Sequence, residues 1–490
     1  MLPRKRRIYM NPLYTQFKRK FSISMYKNMD ISLAEMSFLK DFVNDTRGDL
    51  YPLLNKSEGC FERVGENRYY VEGGSAERVF TQFFPFATYE AEAASLNGEL
   101  GFVFRLPEVS ATVSVSVSEL GAKVLYTCGE HKEELALPAE FKESSPILIT
   151  CRPGFFDIYF RTNGAAKYFA TVDEPLFAEA NRYTTFKDSF VSLYVSGKAS
   201  VARVYSCLDN GVSIADFRLI KYEDGTPIHE NGKIYFTASI RTHAGNYQSI
   251  FSWVPGTMQL EMSGVIFFDN GDGFWRGYIA SSILYNRNDK LWYVWVSSFE
   301  HEHILAYGTF EGDPRFGIGV VDVKIMDRAK EGDGFTDFVG FFRDEDPDLI
   351  YDKKNDRWLF AVCRIDREIK KYRYAFFESK EPFSGFRCIG CGVQEESSET
   401  GGSFVVINGE IHFVCGNTFD RRSEYRIYDK NGMKLARFRY PDGGFRGWGC
   451  IVPVKMGSRE RCFWLTFDRH NGSSYNWSYG NVYCFEAEEY

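Results

Sequence analysis

Hydrophobic and polar residues alternate with a period of two over most of this chain, and short turn phrases break the alternation at regular intervals. Thr112 to Ser118 alternates strictly, as a half-buried strand does. Phe156 to Arg161 and Lys167 to Val172 flank Asn163-Gly164, the pair preferred in a two-residue hairpin turn. Two further strands are expected between Phe190 and Tyr205. One helical stretch is expected over residues 30–50, with Ser32 and Glu35 as a capping box and Leu33, Met36, Leu39 and Phe42 on one face.

After about Cys207 one strand–turn–strand phrase recurs. Its turns carry Asn231, Asn288, Asn355 and Asn408, each followed by an apolar, aromatic strand, and a looser fifth copy runs from Ile451 to Phe467. The fullest copy is Glu345-Asp346-Pro347-Asp348-Leu349-Ile350-Tyr351-Asp352, running into Asn355-Asp356-Arg357-Trp358-Leu359-Phe360. Blades of a β-propeller have this spacing, and about 280 residues accommodate five of them. The recurrence favours a propeller over a second sandwich. The expected fold is therefore all-β: a basic tail and short helix over 1–50, a jelly-roll-like β-sandwich over 51–206, and a five-bladed β-propeller over 207–490. The sandwich resembles concanavalin-like and laminin-G-like jelly rolls in its strand rhythm.

Composition narrows the function. Aromatic residues make up 17% of the 490 positions, which suits pleated faces. A formal net charge of −7 argues against nucleic acid or an anionic membrane as a partner of the whole molecule. The basic N-terminus (Arg4 to Arg7, then Lys18, Arg19 and Lys20) is followed by no apolar stretch, so it reads as a tail or as residues preceding a natural start at Met25, Met29 or Met36. No apolar run reaches membrane-spanning length. The 11 cysteines are odd in number and unpatterned, which fits a reducing, cytoplasmic setting. Cys388 and Cys391 form one Cys-x-x-Cys without a second pair, and are expected to be ordinary strand thiols.

In a propeller the innermost strands of all blades start around one axial mouth, so residues far apart in sequence meet there. Three unit starts carry a carboxylate: Asp224, Asp346 and Glu399. In this ordered trio the chain resembles the five-bladed β-propeller glycoside hydrolases of the family 43 clan, across about 280 residues. The departures are Gly225 after Asp224, Thr400-Gly401-Gly402 after Glu399, and Ala280-Ser281-Ser282 in the second unit. The resemblance implies an inverting glycosidase acting on a neutral carbohydrate such as an arabinoside or xyloside. Asp224 would be its base, Glu399 its acid, and Asp346 the group that orients Glu399 and raises its pKa. Inversion implies a base–acid separation of roughly 6.5–9.5 Å.

Loop residues Trp275, Arg276, His303, Arg364, Arg446 and Trp448 are candidates for sugar binding, as stacking faces and hydroxyl partners. His301 and His303, flanked by Glu300 and Glu302, offer too few ligands for a convincing zinc site. His470-Asn471 is similar to the family's fifth-blade His-Asn, which implies a central calcium ion contacted by His470. No other cofactor is expected. Two other readings stay open: a phosphorylase on the same scaffold, with Arg276, Arg364 and Arg446 holding phosphate, and a noncatalytic carbohydrate-binding propeller.

Overall fold

The computed structural model describes residues 17–24, 62–65, 68–138, 141, 145–162, 165–208, 213–242, 244–298, 303–327, 341–366, 370–392, 399–417, 424–439, 449–457, 459–467 and 481–487. The fold is all-β, with helical turns only at Pro175–Phe177 and Tyr183–Phe186 among these residues. The helix expected over 30–50 lies outside the described residues.

The N-terminal β domain is organised around one long strand, Ala87–Arg105, which pairs along its whole length with Phe190–Leu208. Its first half also pairs with Ile147–Arg152, and its second half with Ser110–Ser118. Two three-stranded arms therefore leave the same strand, and a single branched sheet results. The arms face each other: Tyr126 on one meets Phe156 on the other at 5.6 Å, and Phe104 of the long strand joins them at 5.1 Å. The two facing arms thus belong to one sheet with no break. The strands Phe155–Thr162 and Ala165–Asp173 pair antiparallel as expected, while Asn163-Gly164 itself lies outside the described residues.

Five sheets follow, each built on a four-stranded blade whose first strand lies toward the axis; further short strands bring the sheet of blade 1 to six strands and that of blade 2 to five. Blade 1 contains Ser213–Leu219, Lys233–Thr242, Gly245–Trp253 and Leu260–Asp269, extended at its outer edge by Gly317–Asp322. Blade 2 contains Ile279–Asn286, Leu291–Ser298, Ile304–Phe310 and Lys324–Ile325. Blade 3 contains Phe341–Asp352, Arg357–Asp366, Lys371–Ser379 and Arg387–Cys391. Blade 4 contains Glu399–Ile407, Glu410–Asn417, Glu424–Asp429 and Lys434–Arg439. Blade 5 contains Cys450–Met456, Arg459–Phe467 and Asn481–Ala487. The repeated turns fall where the sequence puts them. Asn231-Gly232 and Asn408-Gly409 both adopt positive φ at the first hairpin of blades 1 and 4, and Lys290 and Asp356 do so in blades 2 and 3.

The outermost strand of blade 5 is Phe17–Ser24, paired antiparallel with Asn481–Ala487 from Phe17↔Ala487 to Ser24↔Asn481. This segment was expected to be a basic tail. It instead completes the last blade, so the β domain is inserted between the outer strand of blade 5 and the start of blade 1.

Separate apolar clusters fill the gaps between neighbouring blades. Ile220 and Phe268 meet Ile283 and Val294 between blades 1 and 2. Trp295 meets Phe360 and Phe377 between blades 2 and 3. Ile350 and Tyr374 meet Phe404 and Phe413 between blades 3 and 4. Val405 and Tyr425 meet Trp464 and Phe485 between blades 4 and 5. Phe217 meets Phe467 where blade 5 returns to blade 1, inside a core that continues without interruption into the β domain. Burial of this kind gives about 1.5–3 kcal/mol per large side chain, so the ring and the β domain share one stabilising mass.

Candidate active site

The axial mouth is made by one backbone device used four times. The innermost strands of blades 1 to 4 each carry a bulge that leaves two residues without ladder partners: Asp216-Phe217, Ala280-Ser281, Asp346-Pro347 and Gly401-Gly402. The first residue of each pair has positive φ, between 50° and 62°. Asp and Gly tolerate that conformation better than bulky residues do. Pro347 costs no ladder bond at an unpaired position. The bulge re-aims the side chains that follow it toward the axis.

Two of the four bulges carry a carboxylate, so Asp216 and Asp346 occupy equivalent positions in blades 1 and 3. Both are buried. The backbone N–H of Asp346 donates to Ser297 Oγ at 3.0 Å, and its Oδ2 accepts the Gly401 N–H at 2.9 Å. Arg218, two residues after the first bulge, brings Nη2 to 4.0 Å from Asp346 Oδ1. Burial first, and then the like charge of Asp216, push the Asp346 carboxyl up to about 7 against the pull of Arg218. Tyr374 hangs over the same group, and its hydroxyl is pushed well above its ordinary range by burial and by Asp346.

Just below, Asp348 of blade 3 ties together blades 2 and 4 and the segment that leads from blade 1 to blade 2. It accepts Lys221 Nζ at 2.7 Å, Ser282 Oγ at 2.5 Å and the Phe404 N–H at 2.6 Å. The axial groups are thus three carboxylates (Asp216, Asp346 and Asp348) and two cations (Arg218 and Lys221), all buried.

On the rim, Glu345 accepts Tyr372 Oη at 3.0 Å and contacts His303 Nδ1. The backbone carbonyl of His303 in turn accepts the Asp344 N–H. Of the binding candidates, His303 therefore does stand at the mouth. Arg364 is buried and paired with Asp344 at 2.7 Å, and Arg276 is paired with Asp272 through both terminal nitrogens. Trp275 is no sugar platform. It is buried between the β domain and blade 1, against Phe84, Phe186 and Phe267 and stacked on Tyr183. Arg446, Trp448 and His470 lie outside the described residues. Among the described residues, no group of three or more His, Cys, Asp or Glu is arranged to hold a metal ion.

The expected trio is not gathered as a trio. Asp224 lies at the other end of the innermost strands, beside Tyr351, Gly409 and Lys430. Its Oδ1 accepts the Thr226 N–H at 3.0 Å in an Asx turn, and its Oδ2 is paired with Arg287. Burial works to raise its pKa, but Thr226 and Arg287 outweigh that and hold it below the usual carboxylate value. Asp216 takes the place that Asp224 was expected to fill. Spacing hid it. From bulge to turn asparagine is 9 residues in blade 3 (346 to 355) but 15 in blade 1 (216 to 231), because residues 221–222 leave to pair with blade 2.

Glu399 is in blade 4 as expected, but it stands two residues before the bulge and is turned into the blade. It is 0% exposed in its side chain. Oε1 accepts Arg426 Nη1 at 2.6 Å and the Tyr428 hydroxyl, and Oε2 accepts the Tyr374 N–H at 3.3 Å. Gly392 packs so closely on Oε2 that a Cβ there would come within 2.3 Å.

The fold and the mouth together define a five-bladed β-propeller with a buried carboxylate pair on its axis. No family profile and no curated protein matches the chain. Solved structures do. The catalytic domain of a GH62 α-L-arabinofuranosidase from Coprinopsis cinerea is 12% identical, with a TM-score of 0.37 over 56% of this chain and 90% of that one. A GH43 β-1,3-galactosidase is 13% identical, with a TM-score of 0.32 over 42% and 72%. A structure from the GH130 family, of mannoside phosphorylases and of glycoside hydrolases that target β-1,2-mannosidic linkages in Candida mannan, is 10% identical, with a TM-score of 0.36 over 57% and 86%.

Proposed function

We propose that the chain is a glycoside hydrolase whose reaction takes place at the axial mouth, with Asp346 as the proton-holding carboxyl and Asp216 as its partner. One observation carries this reading: two buried carboxylates occupy equivalent bulges, and the pKa of one is raised to about 7. Glycosidic cleavage needs one carboxyl that can give a proton to the leaving oxygen and one carboxylate that can take a proton from water. Two acids forced into one low-dielectric site separate into those roles.

The charge balance selects the substrate. Even with Asp346 holding its proton, the axial group offers no excess of cations over carboxylates to hold a phosphate, so hydrolysis is preferred to phosphorolysis. Of the three candidates for holding phosphate, Arg276 and Arg364 are already paired with Asp272 and Asp344, and Arg446 lies outside the described residues. Glu399, with its oxygens committed to Arg426, Tyr428 and Tyr374, serves as an anchor between blades 3 and 4. Arabinosides and xylosides are the first substrates to try, and inversion would be read from the anomer first formed.

The test is a panel of aryl glycosides with purified protein. Asp216→Asn and Asp346→Asn should each lower turnover by at least about a hundredfold, the scale of acid–base catalysis. Asp224→Asn should stay within about twofold of wild type. Wild-type turnover in Asp346→Asn, or a loss confined to Asp224→Asn, would overturn the assignment. Binding of sugar without any turnover by the wild-type protein would make the chain a carbohydrate-binding propeller.

A further inference from the structure

Cys388 and Cys391 lie on the outermost strand of blade 3, Arg387–Cys391. In a regular strand, residues three apart point to opposite faces. Here a bulge intervenes: Phe377 pairs with Cys388, Phe376 with Gly390 and Ala375 with Cys391, so Ile389 has no partner. Phe377 and Ala375 share one face, and the extra residue puts both thiols on that face too. Both cysteines accordingly pack against the same apolar cluster, with Phe377 and Phe386, and the Cys388 thiol donates to the Gly390 carbonyl at 3.5 Å. These two cysteines are half-buried, while Cys128, Cys151, Cys363, Cys415, Cys450, Cys462 and Cys484 are buried. Nothing in the proposed hydrolysis uses them.

We propose that Cys388 and Cys391 form a dithiol site that is oxidised reversibly to an intrastrand disulfide by low-molecular-weight disulfides of the glutathione class. Cys388 attacks one sulfur of glutathione disulfide and expels one glutathione thiolate. Cys391 then loses its proton and displaces the second glutathione from Cys388. Two protein thiols are oxidised and one glutathione disulfide is reduced to two glutathiones. The order follows from the pair itself. The Cys391 thiol is pushed far above its usual range, first by the neighbouring Cys388 and then by burial, so it keeps its proton while Cys388 reacts. Among the described residues the strand has no ladder partner on its outer side, so it can adjust without breaking a second ladder.

The closure has a route to the axial site. Gly392 follows Cys391 directly, donates to the Tyr374 carbonyl at 2.7 Å and accepts Arg373 Nη2 at 2.8 Å. It is also the residue packed on Glu399 Oε2. A shift of Cys391 is therefore passed to Glu399 and to Tyr374 beside Asp346.

The test uses the full chain, folded, in glutathione disulfide. Free thiols are then blocked by alkylation, and peptides are read by mass spectrometry. The expected product is a peptide linking Cys388 and Cys391, about 2 Da lighter than the dithiol form and restored by dithiothreitol. Cys391→Ser should stop at a glutathione adduct on Cys388. The inference is overturned if both wild-type thiols are recovered alkylated, or if glutathione adducts accumulate on wild type without closure. The wild-type mass alone decides the matter if the variant fails to fold. The readout needs no glycosidase activity, so it stands or falls separately from the hydrolase reading.

Discussion

Replacing Asp346 by Asn should make the protein more stable and less active at once. In the folded chain burial and the like charge of Asp216 push this carboxyl up to about 7, against an ordinary value of 3.8. Between those values the native state holds a proton that the unfolded state has lost, so wild-type stability falls as pH rises through that window. This is opposite in sign to an ordinary salt-bridged aspartate. A difference of about 3 units corresponds to about 4 kcal/mol at roughly 1.4 kcal/mol per unit. Asn keeps an acceptor for the Gly401 N–H and never ionises. The advantage of Asp346→Asn should therefore be near zero below pH 4, about 2 kcal/mol at pH 5, and about 4 kcal/mol at pH 8. Urea unfolding of both proteins at pH 5 and pH 8, followed by two probes that must coincide, measures it. A variant no more stable than wild type at pH 8, or a gain that does not change with pH, would refute the reasoning. Stability gained as turnover is lost would mark Asp346 as a group held in an unfavourable place for its chemistry.

Other outcomes follow from the same structure. Asp216→Asn removes the like charge beside Asp346, so the advantage of Asp346→Asn should shrink in that background, as the same urea series would show. Arg426→Met leaves the Glu399 carboxylate buried without its cation and should cost about 3–5 kcal/mol by urea unfolding, while Glu399→Met/Arg426→Met should recover most of the loss. Removing residues 1–24 strips the outer strand from blade 5 and bares the Asn481–Ala487 edge. Thermal scans with light scattering should show earlier unfolding and stronger association. Because the β domain and the ring share one core, both should melt in a single transition, seen as coincident near- and far-ultraviolet dichroism.

Local chemistry made much of this fold legible, and long-range pairing hid the rest. The four turn asparagines mark the hairpins of blades 1 to 4; Asn231 and Asn408 themselves stand at positive φ, which restricts the residues allowed there, while Lys290 and Asp356 take that conformation beside Asn288 and Asn355. Asp346-Pro347 is visible for a related reason: proline in a strand signals a place with no ladder bond. Asp216-Phe217 adopts the same bulge without a proline, and the excursion of residues 221–222 to blade 2 lengthens its distance to the turn, so nothing nearby advertises it. The direction of Glu399 depends on whether it precedes or follows the bulge, a matter of one or two residues that a period-two pattern cannot register. Trp275 reads as a loop aromatic until Phe84 and Phe186 arrive from another domain to cover it.

The pairing of Phe17 with Ala487 also dictates when the ring can close. The two residues are 470 positions apart (487 − 17). At about 5–20 residues per second, the early strand leaves the ribosome roughly half a minute to a minute and a half before its partner exists. The β domain and blades 1 to 4 can assemble in sequence during that interval, each on the one before. The strand made first must wait, unpaired, for the strand made last. Any chain stalled within the final blade carries an open ring and a loose edge strand at once, and presents both to whatever quality-control machinery meets it.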